Sequence, residues 1–193
     1  MNVHVTIVLT SLAVIGIGPS FAQLPGDLKR KFDQADQKIV RLPPSAFPEL
    51  PGNIVHELQR RGCTIPQEAY TKKPHNVIRG NFARPGQPDW AVLCSVNRAS
   101  SILVFFNGSD KNVQEIARME DRIFLQGISA DQIGFSRGIR PVGKDFIMRH
   151  FKAYSGPTPP QIDHQGIDDA FIAKASVTWY FDQGNWLKLT GAD

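Results

Sequence analysis

The chain has 193 residues, of which 41% are hydrophobic, and carries 22 basic and 18 acidic side chains for a formal net charge of +4. This length suits one domain that buries most of its apolar surface. The basic residues form short, dispersed clusters, at 29–31, 60–61 and 72–73, instead of the long basic stripe of a nucleic-acid binder. We therefore expect no nucleic-acid partner, while attraction to an anionic envelope surface or an acidic glycan remains open.

The first 22 residues have the pattern of a cleavable export signal. Residues 5–17 are apolar or small and uncharged, a break at Gly18-Pro19 follows, and a small-x-small cleavage site ends at Ala22. A membrane span needs about 20 apolar residues, so this shorter run predicts a signal peptide (1–22) instead of an anchor. Its departure from the pattern is an amino-terminal region that lacks Lys and Arg and offers only His4. We expect a secreted or periplasmic protein with no membrane span after signal cleavage.

The segment that follows, residues 23–51, is predicted to be a short helix and a proline-rich strap. Residues 27–40 are charged and weakly amphipathic, and the prolines from Pro43 to Pro51 then forbid a continuous helix or sheet. The remaining residues, 52–193, are predicted to form a single α+β domain.

The clearest helical pattern covers residues 53–61. Asn53 can cap the amino terminus, Arg60 and Arg61 suit the negative end of the helix dipole, and Gly62 suits a left-handed stop. A helix is therefore predicted here.

After this helix the sequence changes to short runs that are rich in Val, Ile, Leu and Phe and separated by turn residues, which predicts strands. The runs that predict an antiparallel meander are 76–82, 90–96 and 101–106, with 113–119 and 122–125 as candidates for its continuation. A further strand is predicted within 145–154, and runs at 176–181 and 185–189 flank a hairpin signal at residues 182–184. The predicted fold class is α+β: an antiparallel β-sheet, with a meander and a C-terminal hairpin, packed against one or two short helices.

Cys63 and Cys94 are the two cysteines of the chain. In an oxidising, exported setting an even count favours a disulfide, which here closes a loop of about 32 residues and contributes about 3–4 kcal/mol. The alternatives are a free catalytic thiol, for which no nucleophile motif is present, and a two-Cys metal site, which needs closer spacing. We predict a disulfide that joins the end of the 53–61 helix to the sheet.

One stretch, residues 77–93, carries the outline of a known repeat. The matching residues are Gly80, Phe82, Gly86, Asp89, Ala91 and Val92. In this outline the stretch resembles one strand-loop-strand unit of FG-GAP or VCBS repeats, whose loops supply several Asp or Asn oxygens to calcium. Here Asn81 and Asp89 are the only such side chains, and Arg84 lies between them. The resemblance therefore implies local strand pairing, and we expect no metal and no cofactor.

Within this unit, Asp89 is expected to cap the turn by accepting backbone N–H bonds, and Trp90 is expected to begin the next strand with its indole on the sheet face. The functional alternative places Arg84, Asp89 and Trp90 in a binding site, with Trp90 as a platform.

The densest group of titratable side chains comprises Asp163, His164, Asp168 and Asp169. Asp and His together can bind a metal or shuttle protons, although no established ligand spacing is matched. The alternative is that residues 166–169 form a loop that caps a short helix before Ala170.

The sequence thus predicts an exported, non-catalytic binding or interaction domain, which takes a protein or an envelope or glycan ligand on its sheet face or on loops 83–89 and 126–144. The candidate binding residues are Arg84, Asp89, Trp90, Asp163, His164 and Asp168. One alternative is a small secreted hydrolase that uses Asp163, His164, Asp168 and Asp169; another is an inhibitor of an exported enzyme that presents loop 83–88. A hydrolase needs convergent polar groups in one cleft, so His164 with two of those carboxylates around one cleft would favour it.

Overall fold

The protein is represented by a computed structural model that describes residues 25–192, so the predicted signal peptide lies outside the described residues. Its helices are α1 (Gly26–Gln37), α2 (Gly52–Arg60) and α3 (Lys144–Tyr154). Its strands are β1 (Arg41–Leu42), β2 (Ile65–Pro66), β3 (Val77–Gly80), β4 (Asp89–Val96), β5 (Ala99–Phe105), β6 (Gln114–Glu120), β7 (Leu125–Gly127), β8 (Ile133–Phe135), β9 (Arg137–Val142), β10 (Gly166–Phe171), β11 (Ala175–Asp182) and β12 (Asn185–Thr190). No helix within residues 25–192 is long and apolar enough to cross a membrane.

The strands form antiparallel sheets, two of which have four strands. In the meander sheet the order is β3-β4-β5-β6, and in the C-terminal sheet it is β12-β11-β10-β9. The short pairs β1-β2 and β7-β8 complete the set. This confirms the predicted α+β class with antiparallel sheets, including the meander and the C-terminal hairpin, whose turn residues Gln183 and Gly184 both have positive φ.

The central strands β4 and β5 of the meander sheet are buried on both faces, because their side chains alternate between two apolar clusters. On one face Val92, Leu103 and Phe105 pack with Ile54 and Leu58 of α2. The opposite face contributes to a second cluster, which includes Ile139 and Ile167 of the C-terminal sheet. The outer face of the C-terminal sheet is in turn partly covered by α3. The fold is therefore a stack of α2, the meander sheet, the C-terminal sheet and α3.

The end of α2 is tied to the meander sheet as predicted. Cys63 and Cys94 form a disulfide with their Cα atoms 5.3 Å apart, and Gly62 adopts a φ of 71° in the left-handed region. The predicted cap at Asn53 is wrong. Pro51 holds the N-cap position without a side-chain cap bond, and the Asn53 amide instead donates to the Gly108 carbonyl at 2.9 Å.

The segment before α2 has the predicted helix and strap. Helix α1 is followed by β1, a turn of 3-10 helix at Pro44–Ala46 and the residues that lead to α2. β1 pairs with β2, so the strap is held against the chain that follows α2.

Two further local predictions are wrong. Residues 145–154 lie in α3 instead of a strand, because Phe146, His150 and Tyr154 recur at helical spacing and pack against each other, with ring centroids 3.9 and 5.8 Å apart. Residues 166–169 begin strand β10 instead of a capping loop. Gly166 permits this strand to pair closely, since a Cβ there would lie 2.9 Å from the Trp179 carbonyl oxygen.

Candidate binding site

The structure places the six predicted binding residues in three separate locations. Arg84, Asp163 and His164 line one cavity of about 330 Å³. Asp168 lines a different cavity of about 590 Å³. Asp89 and Trp90 are buried, and Trp90 packs in the apolar cluster beneath α2.

Asp89 makes internal hydrogen bonds through both carboxylate oxygens. Its Oδ2 accepts from the backbone N–H groups of Phe82 at 2.7 Å and Ala83 at 2.9 Å. Its Oδ1 accepts from the Asn107 backbone N–H at 2.8 Å and the Gln87 side-chain amide at 2.7 Å. The predicted capping role of this side chain is confirmed, and these four bonds account for its carboxylate within the protein.

His164 is buried in a cluster with Asp163 and Tyr180. Its Nδ1 lies 2.6 Å from Asp163 Oδ1 and 3.0 Å from the Tyr180 hydroxyl, and its Nε2 lies 2.9 Å from the Phe181 carbonyl oxygen. The hydrogen bond from His164 holds the pKa of the Asp163 carboxyl below its usual range, while burial raises the pKa of the Tyr180 hydroxyl. Both ring nitrogens thus have partners inside the protein, which leaves neither directed at a substrate.

Asp168 and Asp169 do not join this cluster. Because they are adjacent in a strand, their side chains lie on opposite faces of the C-terminal sheet. Asp168 accepts from Arg140 Nε at 2.8 Å, and Asp169 accepts from Arg137 Nε and Nη2 at 2.8 Å each. The carboxylate that shares the His164 cavity with Asp163 is instead Asp182. The four residues of the predicted hydrolase site are therefore not assembled around one cleft.

The larger cavity lies on the outer face of the C-terminal sheet, beside α3. We name it the sheet trough. Along this face, position 138 of β9 aligns with 170 of β10 and with 176 of β11, and position 140 of β9 aligns with 168 of β10. On this outer face the lining residues are Gly138, Arg140, Asp168, Ala170 and Ser176, and Ala192 adjoins them; Ile139, Phe171 and the 172–175 turn also border the cavity. Most of these side chains are small, which leaves space above the sheet where larger side chains would otherwise lie.

The opposite wall of the trough is the loop between β2 and β3. It contributes Glu68, Thr71, His75 and Asn76. Asn76 fixes this wall to the sheet. It is buried and has a φ of 71°. Its side-chain amide donates to the carbonyls of Pro66 at 2.7 Å and Arg137 at 3.1 Å, and its side-chain oxygen accepts from the Ile139 N–H at 3.0 Å.

Within the wall, His75 bridges two backbone groups of the same loop. Its Nε2 accepts from the Glu68 backbone N–H at 2.7 Å, and its Nδ1 faces the Lys73 carbonyl oxygen at 3.0 Å. Because a backbone N–H can only donate and a carbonyl can only accept, this geometry assigns the ring proton to Nδ1 and makes Nε2 the acceptor. The Glu68 carboxylate in turn accepts from the Tyr70 N–H at 2.7 Å.

Arg140 is a cation of the trough whose guanidinium is held by Asp168 and Phe146. Its Nε donates to Oδ2 of Asp168, which is fully buried, and its guanidinium lies 5.1 Å from the centre of the Phe146 ring. The Arg140 side chain is nevertheless 60% exposed. The other carboxylate oxygen of Asp168, Oδ1, is buried without a hydrogen-bond partner among the described residues. The trough thus has an oriented, accessible guanidinium that is paired with a buried carboxylate.

Sequence reasoning found Asp168 but missed Arg140, His75 and the small residues of the trough. The Arg140–Asp168 pair spans 28 positions of sequence, and no local pattern marks two strands as neighbours over that distance. The available signal was weak: one small outer-face residue on β9, Gly138, and two on β10, Gly166 and Ala170.

Within residues 25–192, no group of three or more His, Cys, Asp or Glu side chains is arranged to hold a metal ion. Comparison of the chain with protein-family models, with curated proteins and with solved structures gives no match. Strands β3 and β4 pair antiparallel across the loop 81–88, as the resemblance to one FG-GAP or VCBS unit implies, and the resemblance itself stays a prediction.

Proposed function

We propose that the protein is an exported, non-catalytic binding domain whose sheet trough takes an acidic sugar unit of an envelope glycan. The observation that carries this proposal is the Arg140 guanidinium, which is oriented by the buried Asp168 and remains exposed at the wall of the cavity. The disulfide between Cys63 and Cys94 supports an oxidising compartment.

The recognition of a carboxylate follows from the geometry of Arg140. Only Nε is engaged by Asp168, so the two Nη groups can form parallel hydrogen bonds to a ligand carboxylate. Because Asp168 and Phe146 already restrain the guanidinium, less side-chain entropy is lost when a ligand binds.

The remainder of the trough suits a ring that carries hydroxyl groups. Its volume of about 590 Å³ lies in the range of small-molecule sites. Thr71 and Ser176 bring hydroxyls to the wall, and the Lys174 ammonium lies near its rim, 4.5 Å from the Phe171 ring. The overall charge of +4 favours the approach of a polyanionic chain.

Calorimetric titration of the exported full-length protein with oligogalacturonate and with a neutral oligosaccharide of equal length tests this proposal. We expect binding of the acidic oligomer alone. Arg140→Lys keeps the charge but loses the paired donors, and Ala170→Leu fills the trough without a change of charge. Each should weaken binding at least about tenfold.

Arg149→Lys is the matched control, because Arg149 is an exposed α3 residue outside the trough lining. Its affinity should equal that of the unmodified protein. Equal binding of acidic and neutral oligomers, or full affinity in Ala170→Leu, would refute the proposed site.

A further inference from the structure

A second cavity lies on the other side of the loop between β2 and β3, away from the sheet trough. We name it the lysine-rimmed groove. Its volume is about 560 Å³. The apolar residues that line it are Ala35, Ile39, Val40, Leu42, Ala69, Pro74, Ile128, Ile133 and Phe135. An adjoining cavity of about 410 Å³ shares Ala35, Lys38, Ile128 and Ile133 with it, so the two form a continuous depression along α1.

The walls of this groove come from α1, the chain that follows it and the β7-β8 hairpin. α1 lies against the β7-β8 hairpin, and the chain after α1 supplies Ile39 and Val40. Val40 is 60% exposed, whereas Ile39 and Phe135 are buried at its base. An exposed branched side chain beside a concave apolar surface indicates that the groove can bury further apolar area when a ligand enters.

The rim of the groove is positively charged. Lys38, Lys72 and Lys73 line it, and Lys31 lines the adjoining cavity. Among the described residues, none of these four lysines takes part in an ion pair. The acidic residues are Glu68 in the groove lining, whose carboxylate accepts the Tyr70 N–H, and Asp131 in the adjoining cavity, so the four lysines outnumber them. The cations at the rim are thus available to an anion.

We propose that the lysine-rimmed groove binds an amphiphile with a single anionic head and an unbranched acyl chain. The acyl chain lies against Ile128, Ile133 and Val40, where each buried methylene strengthens binding about fourfold. The head group lies at the rim, next to Lys38, Lys72 and Lys73. This proposal is independent of the sheet trough: the two cavities share only Glu68 and Thr71, and neither Arg140 nor Asp168 lines the groove.

Calorimetry of the full-length protein with decanoate, below its micelle concentration, tests this site, with decanol as the uncharged probe of equal chain length. We expect decanoate to bind more tightly than decanol. Val40→Asp introduces a charge at an exposed groove position where folding is not at risk, and it should weaken decanoate binding at least about tenfold.

The head-group contribution is tested by the triple variant Lys38→Gln, Lys72→Gln, Lys73→Gln. Its matched control is Lys29→Gln, Lys111→Gln, Lys188→Gln, which removes the same charge at exposed positions outside the groove lining. We expect the first triple variant to lose at least about tenfold in decanoate affinity and the second to stay within about twofold.

Equal losses in the two triple variants, equal binding of decanol and decanoate, or no effect of Val40→Asp would each overturn the proposal. Decanoyl-lysophosphatidylglycerol, whose acyl chain has the same length as that of decanoate, separates the two sources of such a ligand. Tighter binding of this lipid than of decanoate, with the same loss in Val40→Asp, would support a phospholipid occupant, and the reverse order would support a free fatty acid.

Discussion

Arg137 and Asp169 form a buried, two-bonded ion pair at the junction of the two four-stranded sheets. Arg137 Nε and Nη2 donate to the two carboxylate oxygens at 2.8 Å each. The remaining guanidinium donors cross to the meander sheet, where they bond the carbonyls of Ser100 at 2.9 Å and Ala117 at 2.7 Å. The pair therefore links strands β9 and β10 to the edge of the other sheet and satisfies the charge of a fully buried arginine.

Replacement of Arg137 by Met is expected to lower the free energy of unfolding by about 3–5 kcal/mol, because Asp169 would be left as an uncompensated buried charge. Urea denaturation followed by circular dichroism measures this loss. Arg149→Met, on the exposed surface of α3, is the control and should change stability by less than about 0.5 kcal/mol. A loss in Arg137→Met as small as that of the control would show that the pair does not link the sheets.

Asp89→Ala is expected to lower the free energy of unfolding by about 3 kcal/mol, since the Phe82, Ala83 and Asn107 N–H groups would lose their acceptor. Thermal and urea unfolding measure the effect. Asp110→Ala, an exposed position in the 108–113 turn region, should be close to neutral. If Asp89→Ala retained full stability and weakened ligand binding instead, the binding interpretation of Asp89 would replace the capping one.

The distance in sequence between partners explains which site residues could be predicted. Most partners of Asp89 lie within seven positions of it, so its capping role was visible in a local window. The arginine partners of Asp168 and Asp169 lie 28 and 32 positions away. A local window therefore showed only a group of carboxylates beside His164 and suggested a cap or an acid–base cluster.

Distance in sequence also explains which parts of the fold could be predicted. The meander and the hairpin were predicted because short loops join neighbouring strands, and Gly184 marks the hairpin turn. The strand prediction at 145–154 failed because Phe146 and Ile147 favour strands locally, whereas Ile147 is buried in α3 against Tyr180 and Leu189. The trough could not be predicted, because its walls combine β9, β10 and β11 with a loop more than 60 positions earlier in the sequence. Asn76 of that loop, for example, bonds to Arg137, which lies 61 positions later.

The Glu57 carboxylate makes the free energy of unfolding depend on pH in the acidic range. Hydrogen bonds from Arg60 and then Arg61 lower the pKa of its carboxyl from 4.5 to about 2. A lowered folded-state pKa stabilises the fold above the unfolded-state pKa, and this contribution is lost as the pH falls from about 4.5 to about 2. Since Arg60 is largely exposed, we expect solvent screening to limit the contribution to about 1 kcal/mol.

Glu57→Gln should remove this contribution, so the variant should be less stable than the parent at pH 6 and equally stable at pH 2. Urea midpoints measured across that range provide the comparison. Glu49→Gln, outside α2 and exposed, should follow the parent at every pH. A constant difference between Glu57→Gln and the parent from pH 6 to pH 2 would contradict the role assigned to the carboxylate.

His75 is expected to hold its proton on Nδ1 and to keep the trough wall ordered. Nitrogen chemical shifts of the ring distinguish the two neutral tautomers directly, and a proton on Nε2 would contradict the donor assignment from Glu68 N–H. In His75→Ala this N–H and the Lys73 carbonyl lose their partner, so amide exchange at Glu68 should accelerate about tenfold. His56→Ala, at an exposed α2 position, should leave that exchange unchanged.

Because Glu68 and His75 line the trough, His75→Ala should also weaken oligogalacturonate binding. Faster exchange with unchanged affinity would mean that the loop does not contact the ligand.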